Sequence, residues 1–245
     1  MTDQPICIVT GASRGIGAAT AKLAARWGYA VVVNYLRDES AARDVAREIE
    51  TQGGRALPVQ ADVSEPGDVA HLFKTTIAEL GVPTALVNNA AEAGGRQPIE
   101  DTTPEMVRRV LAVTLGGPIL CIAEAARCMS TSHGGRGGVI VNLSSQAART
   151  GGRLLTPYVG AKAGVEAITI GLARELGPAG IRVNAVSPGV IAAAQVQSDD
   201  AVARAREIPL GRLGTADEVA EAILWLMSPA ASYVTGAIIA VTGGR

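Results

Sequence analysis

ICIVTGASRGIG, residues 6–17, runs from an apolar, β-branched stretch directly into glycines at positions 11, 15 and 17. Such a stretch reads as a strand that turns tightly into a helix. Glycine at the turn lets a diphosphate approach the backbone amides at the helix N-terminus, where the helix dipole favours negative charge. The spacing is G-x-x-x-G-x-G rather than the commoner G-x-G-x-x-G, and a glycine-rich loop alone is weak evidence. Its weight comes from standing after the first strand of an alternating chain.

That alternation continues outward. Strands are predicted at 6–10, 30–34, 55–60, 85–88, 138–144, 181–187 and 237–241, with helices near 15–27, 38–51, 65–80, 103–129, 157–177 and 215–227. Strands apolar on both faces and separated by helices imply a parallel sheet covered on both sides. This is the α/β, doubly wound (Rossmann) layout. No linker, repeat or low-complexity segment divides the chain, and SHGGRGG (132–138) reads as the loop into the fifth strand. A single domain over residues 1–245 is expected.

The chain is 48% hydrophobic and 18% charged, so a large core is available, built mainly from Ala, Val, Ile and Leu because there is one Phe and two Trp. Net charge is −1 with no basic tract. Neither nucleic acid nor a membrane surface is an expected partner. The start, MTDQPICIVTG, lacks the basic and apolar regions of a signal peptide, and no apolar run is expected to reach membrane-spanning length. A cytoplasmic location is the expectation. Three cysteines make no disulfide framework, and Cys7, Cys121 and Cys128 read as packed thiols. No metal site is expected.

GASRG also fits the G-x-S-x-G nucleophile elbow, with Ser13 as nucleophile. That elbow should follow several strands, and its histidine should come late, whereas Ser13 has one strand upstream and the only histidines are His71 and His133. The hydrolase reading is therefore set aside. For a dinucleotide, an acid at the tip of the second strand selects NAD and a basic residue accommodates the 2′-phosphate of NADP. The tip here is Asn34 in AVVVNYLRDES, followed by Tyr35 and Arg37, with Arg14 in the glycine-rich turn. NADP is favoured, with NAD the alternative. Asp38 reads as opening the second helix, where an acid is favoured.

TPYVGAK (156–162) sets a tyrosine four residues before a lysine. Thr156 can cap a helix and Pro157 suits its first position, so Tyr158 and Lys162 share one face. A free phenol has a pKa of about 10, too high for it to act as a proton acceptor near neutrality. A neighbouring ammonium is expected to lower that value, making Tyr158 a general acid for ketone reduction and base for alcohol oxidation.

TGASRGIG, ADV (61–63), NNAA (88–91), Ser145, YVGAK (158–162) and VNAVSPGVI (183–191) together resemble, in order and spacing, the motif series of the short-chain dehydrogenase/reductase family. The resemblance extends through the C-terminal stretch, and within the family it is to NADP-type members such as 3-oxoacyl-ACP reductases and glucose dehydrogenases. It implies an oxidoreductase that moves a hydride between nicotinamide and a small carbonyl or alcohol, usually as a homotetramer. Ser145 would hydrogen-bond the substrate oxygen, and Lys162 would also hold the nicotinamide ribose. Gly11, Ser13, Arg14, Gly15, Ile16 and Gly17 would cradle the cofactor. Asp62 and Val63 would line the adenine pocket, Asn88 and Ala90 would support the cofactor, and Pro188, Gly189, Val190 and Ile191 would pass the carboxamide.

The pattern breaks in places. Thr114 stands where the family usually has an asparagine thought to hold a relay water for the lysine, Ala91 replaces a glycine, Ala193 replaces a threonine, and the tail reads VTGG where VDGG is frequent. These departures keep open a second class, a cofactor-binding protein with weak or no catalysis. Arg96, Gln97, Arg149, Arg153, Gln195 and Gln197 lie in loops expected to cover the pocket and hint at a polar substrate such as a sugar or oxo ester.

Overall fold

The computed structural model describes residues 4–192 and 205–245. Ala193, Gln195 and Gln197 lie outside the described residues. Strands β1 (Ile6–Val9), β2 (Ala30–Tyr35), β3 (Arg55–Gln60), β4 (Ala85–Asn88), β5 (Gly138–Leu143), β6 (Ile181–Pro188) and β7 (Ile238–Val241) form one sheet in the order β3-β2-β1-β4-β5-β6-β7. Every pairing is parallel. The helices are α1 (Gly15–Arg26), α2 (Glu39–Thr51), α3 (Pro66–Glu79), α4 (Pro104–Leu111), α5 (Gly117–Met129), α6 (Ala147–Thr150), α7 (Thr156–Leu176) and α8 (Ala216–Met227). The doubly wound fold expected from the alternation is what forms, and strand ends fall within a residue of their expected places.

Strand residues alternate between two cores. Cys7, Val9, Val31 and Val33 join α1, α2 and α8 through Ala21, Leu23, Val45, Ile49, Ile223 and Leu224. Ile8, Val32, Leu86 and Ile140 meet α3, α5 and α7 through Leu72, Phe73, Cys121, Ile122 and Leu176. Full burial of one such side chain stabilises by roughly 1.5–3 kcal/mol, so the sheet is held from both faces. Cys7 and Cys121 are fully buried and Cys128 half-buried. Burial pushes the Cys121 thiol up to about 12 and the Cys128 thiol up to about 11, which makes them packing groups rather than nucleophiles.

The winding reverses between β1 and β4, and ligands of such sheets bind in the crevice outside the strand C-termini at that point. Thr10 and Asn89 close the crevice floor. Asn89 Nδ2 donates to the carbonyls of Thr10 and Gly11, both at 2.9 Å. Thr10 Oγ1 accepts from the amides of Asn89 and Ala90, both at 3.0 Å.

The helix expected at 103–129 forms as one helical run with a wide π-turn at Ala112–Gly116. The run Pro104–Met129 is long and apolar enough to cross a membrane by length and composition, contrary to the expectation that no segment would be. Its length arises because α4 and α5 continue through the π-turn. Val110, Val113, Cys121, Ile122, Ala125 and Met129 on it are buried within the protein. Thr156 is the first residue of α7 rather than its cap. Leu155 takes the cap position and no side chain bonds the helix end.

Gly17 tests how tightly the first turn is built. A Cβ there would lie 2.4 Å from the Gly11 carbonyl and 2.5 Å from Asn89 Nδ2. Overpacking of this kind costs about 1–3 kcal/mol, so Gly17→Ala should lower urea stability by that order and weaken dinucleotide binding. Wild-type stability in Gly17→Ala would show that the turn yields freely.

Candidate functional site

The first half of the site lies along the crevice. Gly11, at φ +61°, passes so close to β4 that a Cβ would meet Ala90 Cα at 3.0 Å. Gly15, at φ +57°, begins α1 after the extended residue Arg14. The first amides of any helix lack intrahelical partners, and the first turn of α1 carries no acid. A cavity of about 580 Å³ opens over this turn. Of the residues expected to hold the cofactor, it is lined by Gly11, Ser13, Arg14, Gly15, Ile16, Asn34, Tyr35, Arg37, Asp62, Val63 and Ala90. Free amides, a backbone that leaves no room for a Cβ at Gly11 and Gly17, and the side chains of Arg14 and Arg37 fit the phosphate groups of a dinucleotide.

Two expected cofactor residues have other partners. Asn34 is buried. Its Oδ1 accepts from the Gly11 amide at 3.1 Å, and its Nδ2 donates to the Ala61 carbonyl at 3.1 Å. The side chain thus ties the turn to β2 and β3, and only its edge faces the cavity. Asn88 Nδ2 donates to Asn142 Oδ1 at 2.9 Å, and Asn142 Nδ2 to Thr169 Oγ1 at 3.0 Å. Asn88 therefore links β4, β5 and α7 inside the protein, while the neighbouring Asn89 braces the first turn. Asp38 accepts from the Ala41 amide at 3.0 Å and caps α2, as expected.

Asp62 shows what the sequence reading missed. Its carboxylate accepts from Ser64 Oγ at 2.6 Å and from Arg109 Nη1 at 2.9 Å. Burial pushes this carboxyl up, but the hydrogen bonds from Ser64 and Arg109 outweigh it and hold it below the usual carboxylate range. Arg109 lines the cavity from α4, nearly fifty residues away in sequence. Only the pairing of a helix-surface arginine with ADV could have signalled it.

The second half lies at the ends of β5 and β6. Ser145, Tyr158, Pro188, Gly189, Val190 and Ile191 line a cavity of about 480 Å³. Lys162 lies beneath it, 3% exposed, with Nζ 5.7 Å from the centre of the Tyr158 ring. Its ammonium donates to the Leu143 carbonyl at the end of β5. Burial pulls the lysine down to about 8. The tyrosine departs from expectation. Burial raises its phenol above the ordinary value, and a hydrogen bond with Ser145 opposes the shift without reversing it. Desolvation penalises the phenolate more than nearby groups favour it.

Thr114 is buried in the π-turn. Its hydroxyl donates to the Glu92 carbonyl and accepts from the Glu92 amide, both at 2.9 Å. The only donor of the side chain is thereby used on the Glu92 carbonyl. The hydroxyl fixes the loop that follows β4, and the π-turn gives the helix its local widening.

A family model described as enoyl-(acyl carrier protein) reductase matches residues 11–245. The uncharacterized oxidoreductase YgfF of Escherichia coli (strain K12) is 43% identical over 98% of this chain and 99% of its own. The cis-4-hydroxycyclohexanecarboxylate dehydrogenase of Sinomonas cyclohexanicum is 42% identical over 98% of this chain and 96% of its own. Among solved structures, a blue fluorescent protein from a metagenomic library in complex with NADPH superimposes with a TM-score of 0.90. It is 31% identical, covering 98% of this chain and 97% of that one.

The buried lysine generates a pH prediction. Its value of about 8 lies below the ordinary 10.5. Between these values the unfolded chain holds a proton that the folded chain has shed, so folding gains stability as pH rises. The cofactor-free wild type should therefore gain stability relative to Lys162→Met as pH rises from about 8 to about 10.5. Parallel urea titrations at several pH values measure the difference, and a constant difference would show that the ammonium is not desolvated.

Proposed function

The chain belongs to the short-chain dehydrogenase/reductase family and is an NAD(P)-dependent oxidoreductase, and from that premise we propose that Tyr158 is its proton donor and acceptor. The observation that carries this reading is the convergence of Ser145 and Tyr158 on one cavity with a buried ammonium beneath the phenol. The bound nicotinamide supplies or accepts the hydride. Ser145 holds the substrate oxygen, and Tyr158 delivers a proton to that oxygen in reduction or removes it in oxidation. Lys162 places a positive charge under the ring, and its short reach to the Leu143 carbonyl fixes that charge in position. Thr114 acts as a positioning residue through Glu92.

NADP is the preferred cofactor in this reading. Arg14 and Arg37 line the crevice, and neither guanidinium has a hydrogen-bonding or ionic partner among the described residues. Asp38, the candidate ribose acid, is committed to the α2 cap. We place the protein in the cytoplasm, because three unpaired cysteines, two of them fully buried, suit a reducing compartment. We also assign it a homotetramer. Exposed Leu111 and Ile119 on α4 and α5, Ile170 on α7, and the half-open sheet edge at β7 support that assembly.

Tyr158→Phe deletes the phenolic hydroxyl and little packing, so turnover should fall by at least about 10²-fold, with dinucleotide affinity nearly unchanged. Substantial activity in Tyr158→Phe defeats the mechanism. Arg14→Ala and Arg37→Ala should each weaken NADPH about tenfold through loss of a charge-assisted contact, with a much smaller change for NADH. Fluorescence titration with both cofactors decides it, and tighter wild-type binding of NADH would show that the tip of β2 does not select the phosphate.

A further inference from the structure

We propose that the cavity over Ser145 and Tyr158 selects a substrate carrying a carboxylate, gripped by Arg96 and Arg153. The proposal rests on the oxidoreductase reading and names the substrate class of that same site. Arg96, Arg153 and Arg245 line the cavity, and among the described residues no aspartate or glutamate does. Arg245 is neutralised by Glu207, at 2.7 Å. Arg96 and Arg153 have no hydrogen-bonding or ionic partner among the described residues. Arg149, beside the same loops, is by contrast paired with Glu166 at 3.2 Å.

The two free guanidiniums are brought to one place by the backbone. Arg96 lies in the loop after β4, and Arg153 in the loop between α6 and α7. Their following residues are joined, with the Gln97 amide donating to the Leu154 carbonyl at 3.1 Å. Leu154 adopts φ +65°, the only positive φ outside glycine among the described residues. A bulky residue in that region is strained, and such strain persists where the surroundings over-determine it, notably at ligand clamps. Here it turns the Leu154 carbonyl towards Gln97 and so holds the two arginine-bearing loops together.

Two guanidinium forks approaching from separate loops suit a planar anion with two acceptor oxygens. Leu155, Val190 and Ile191 give the rest of the cavity an apolar wall. Gln146, beside Ser145, is 9% exposed, and its buried Nε2 has no hydrogen-bond partner. A substrate acceptor near the cavity floor would satisfy it. The ligand that matches is a small oxo acid or hydroxy acid, with its carbonyl or alcohol at Ser145 and Tyr158 and its carboxylate at the arginines.

The test uses the full chain saturated with NADP⁺ and three oxo acids of increasing length, 3-oxobutanoate, 4-oxopentanoate and 5-oxohexanoate, each beside its methyl ester. Calorimetric titration at low salt should show at least one acid binding about tenfold or more tighter than its ester. In Arg96→Ala/Arg153→Ala that ratio should fall to within about threefold, while Arg47→Ala, outside the cavity, should keep it. Comparing acid with ester inside each variant cancels any general damage. Ratios near one for all three wild-type pairs overturn the proposal, as does a ratio that survives in the double variant. A ketone phosphate, dihydroxyacetone phosphate, bound more tightly than every acid overturns the carboxylate assignment. NADPH oxidation with the same compounds is a separate readout: its absence throughout overturns the oxidoreductase reading, whereas the binding ratio alone decides the clamp.

Discussion

A lysine ammonium removed from water is the constraint around which the site is arranged. Lys162 is 3% exposed and donates to the Leu143 carbonyl, so its charge is fixed where β5 ends and α7 begins. Burying that charge is costly, and its value falls to about 8 as a result. The arrangement requires β5 and α7 to hold a fixed register. Asn142 on β5 supplies it by donating to Thr169 on α7, while Asn88 on β4 donates to Asn142. Ser144 adds a second link by donating to Glu166 at 2.9 Å, and Glu166 receives Arg149. A polar chain in the core thus positions Ser145, Tyr158 and Lys162 relative to one another.

The phenol illustrates why proximity alone does not set acidity. A nearby ammonium favours phenolate, but it acts at 5.7 Å from the ring centre and is itself partly destabilised by burial. Desolvation of the phenol acts directly on the titrating group and dominates. Within the proposed mechanism, the positively charged oxidised nicotinamide would shift the balance towards phenolate when it is bound. That coupling would keep Tyr158 protonated in the resting protein and tie its acid–base work to cofactor occupancy.

The fold was legible in the sequence because each buried strand carries its signal on consecutive residues. VVV at 31–33 is apolar on both faces, and Val31 and Val33 enter one core while Val32 enters the other. Glycines 11 and 17 were legible because the steric demand at each falls on the glycine itself. Side-chain direction was not legible. Asn34 and Asn88 occupy the expected loci, yet Asn34 satisfies buried backbone groups, and Asn88 Nδ2 satisfies Asn142 while its Oδ1 stays buried without a partner. Arg109 escaped notice because its partner Asp62 lies on a different element. The π-turn at Thr114 was not legible because it spans only the five residues Ala112–Gly116, fewer than a periodicity window of about 11–18 residues averages over.

Charge pairing ranks the cationic groups by what they serve. Arg26 and Arg174 occupy the last turns of α1 and α7, where a cation opposes the helix dipole. Arg182 is spent on the carbonyls of Leu226 and Val234, joining β6 to the end of α8. Arg149 is held by Glu166, close to the cavity yet neutralised. What remains at the two cavities is Arg14 with Arg37 at one end and Arg96 with Arg153 at the other. A net charge of −1 leaves acids enough to pair with all four, yet none does so among the described residues. Like charges gathered at each of the two cavities raise the local potential for anions. In the proposed function, Arg14 and Arg37 would face the cofactor phosphate, while Arg96 and Arg153 share their cavity with Ser145 and Tyr158.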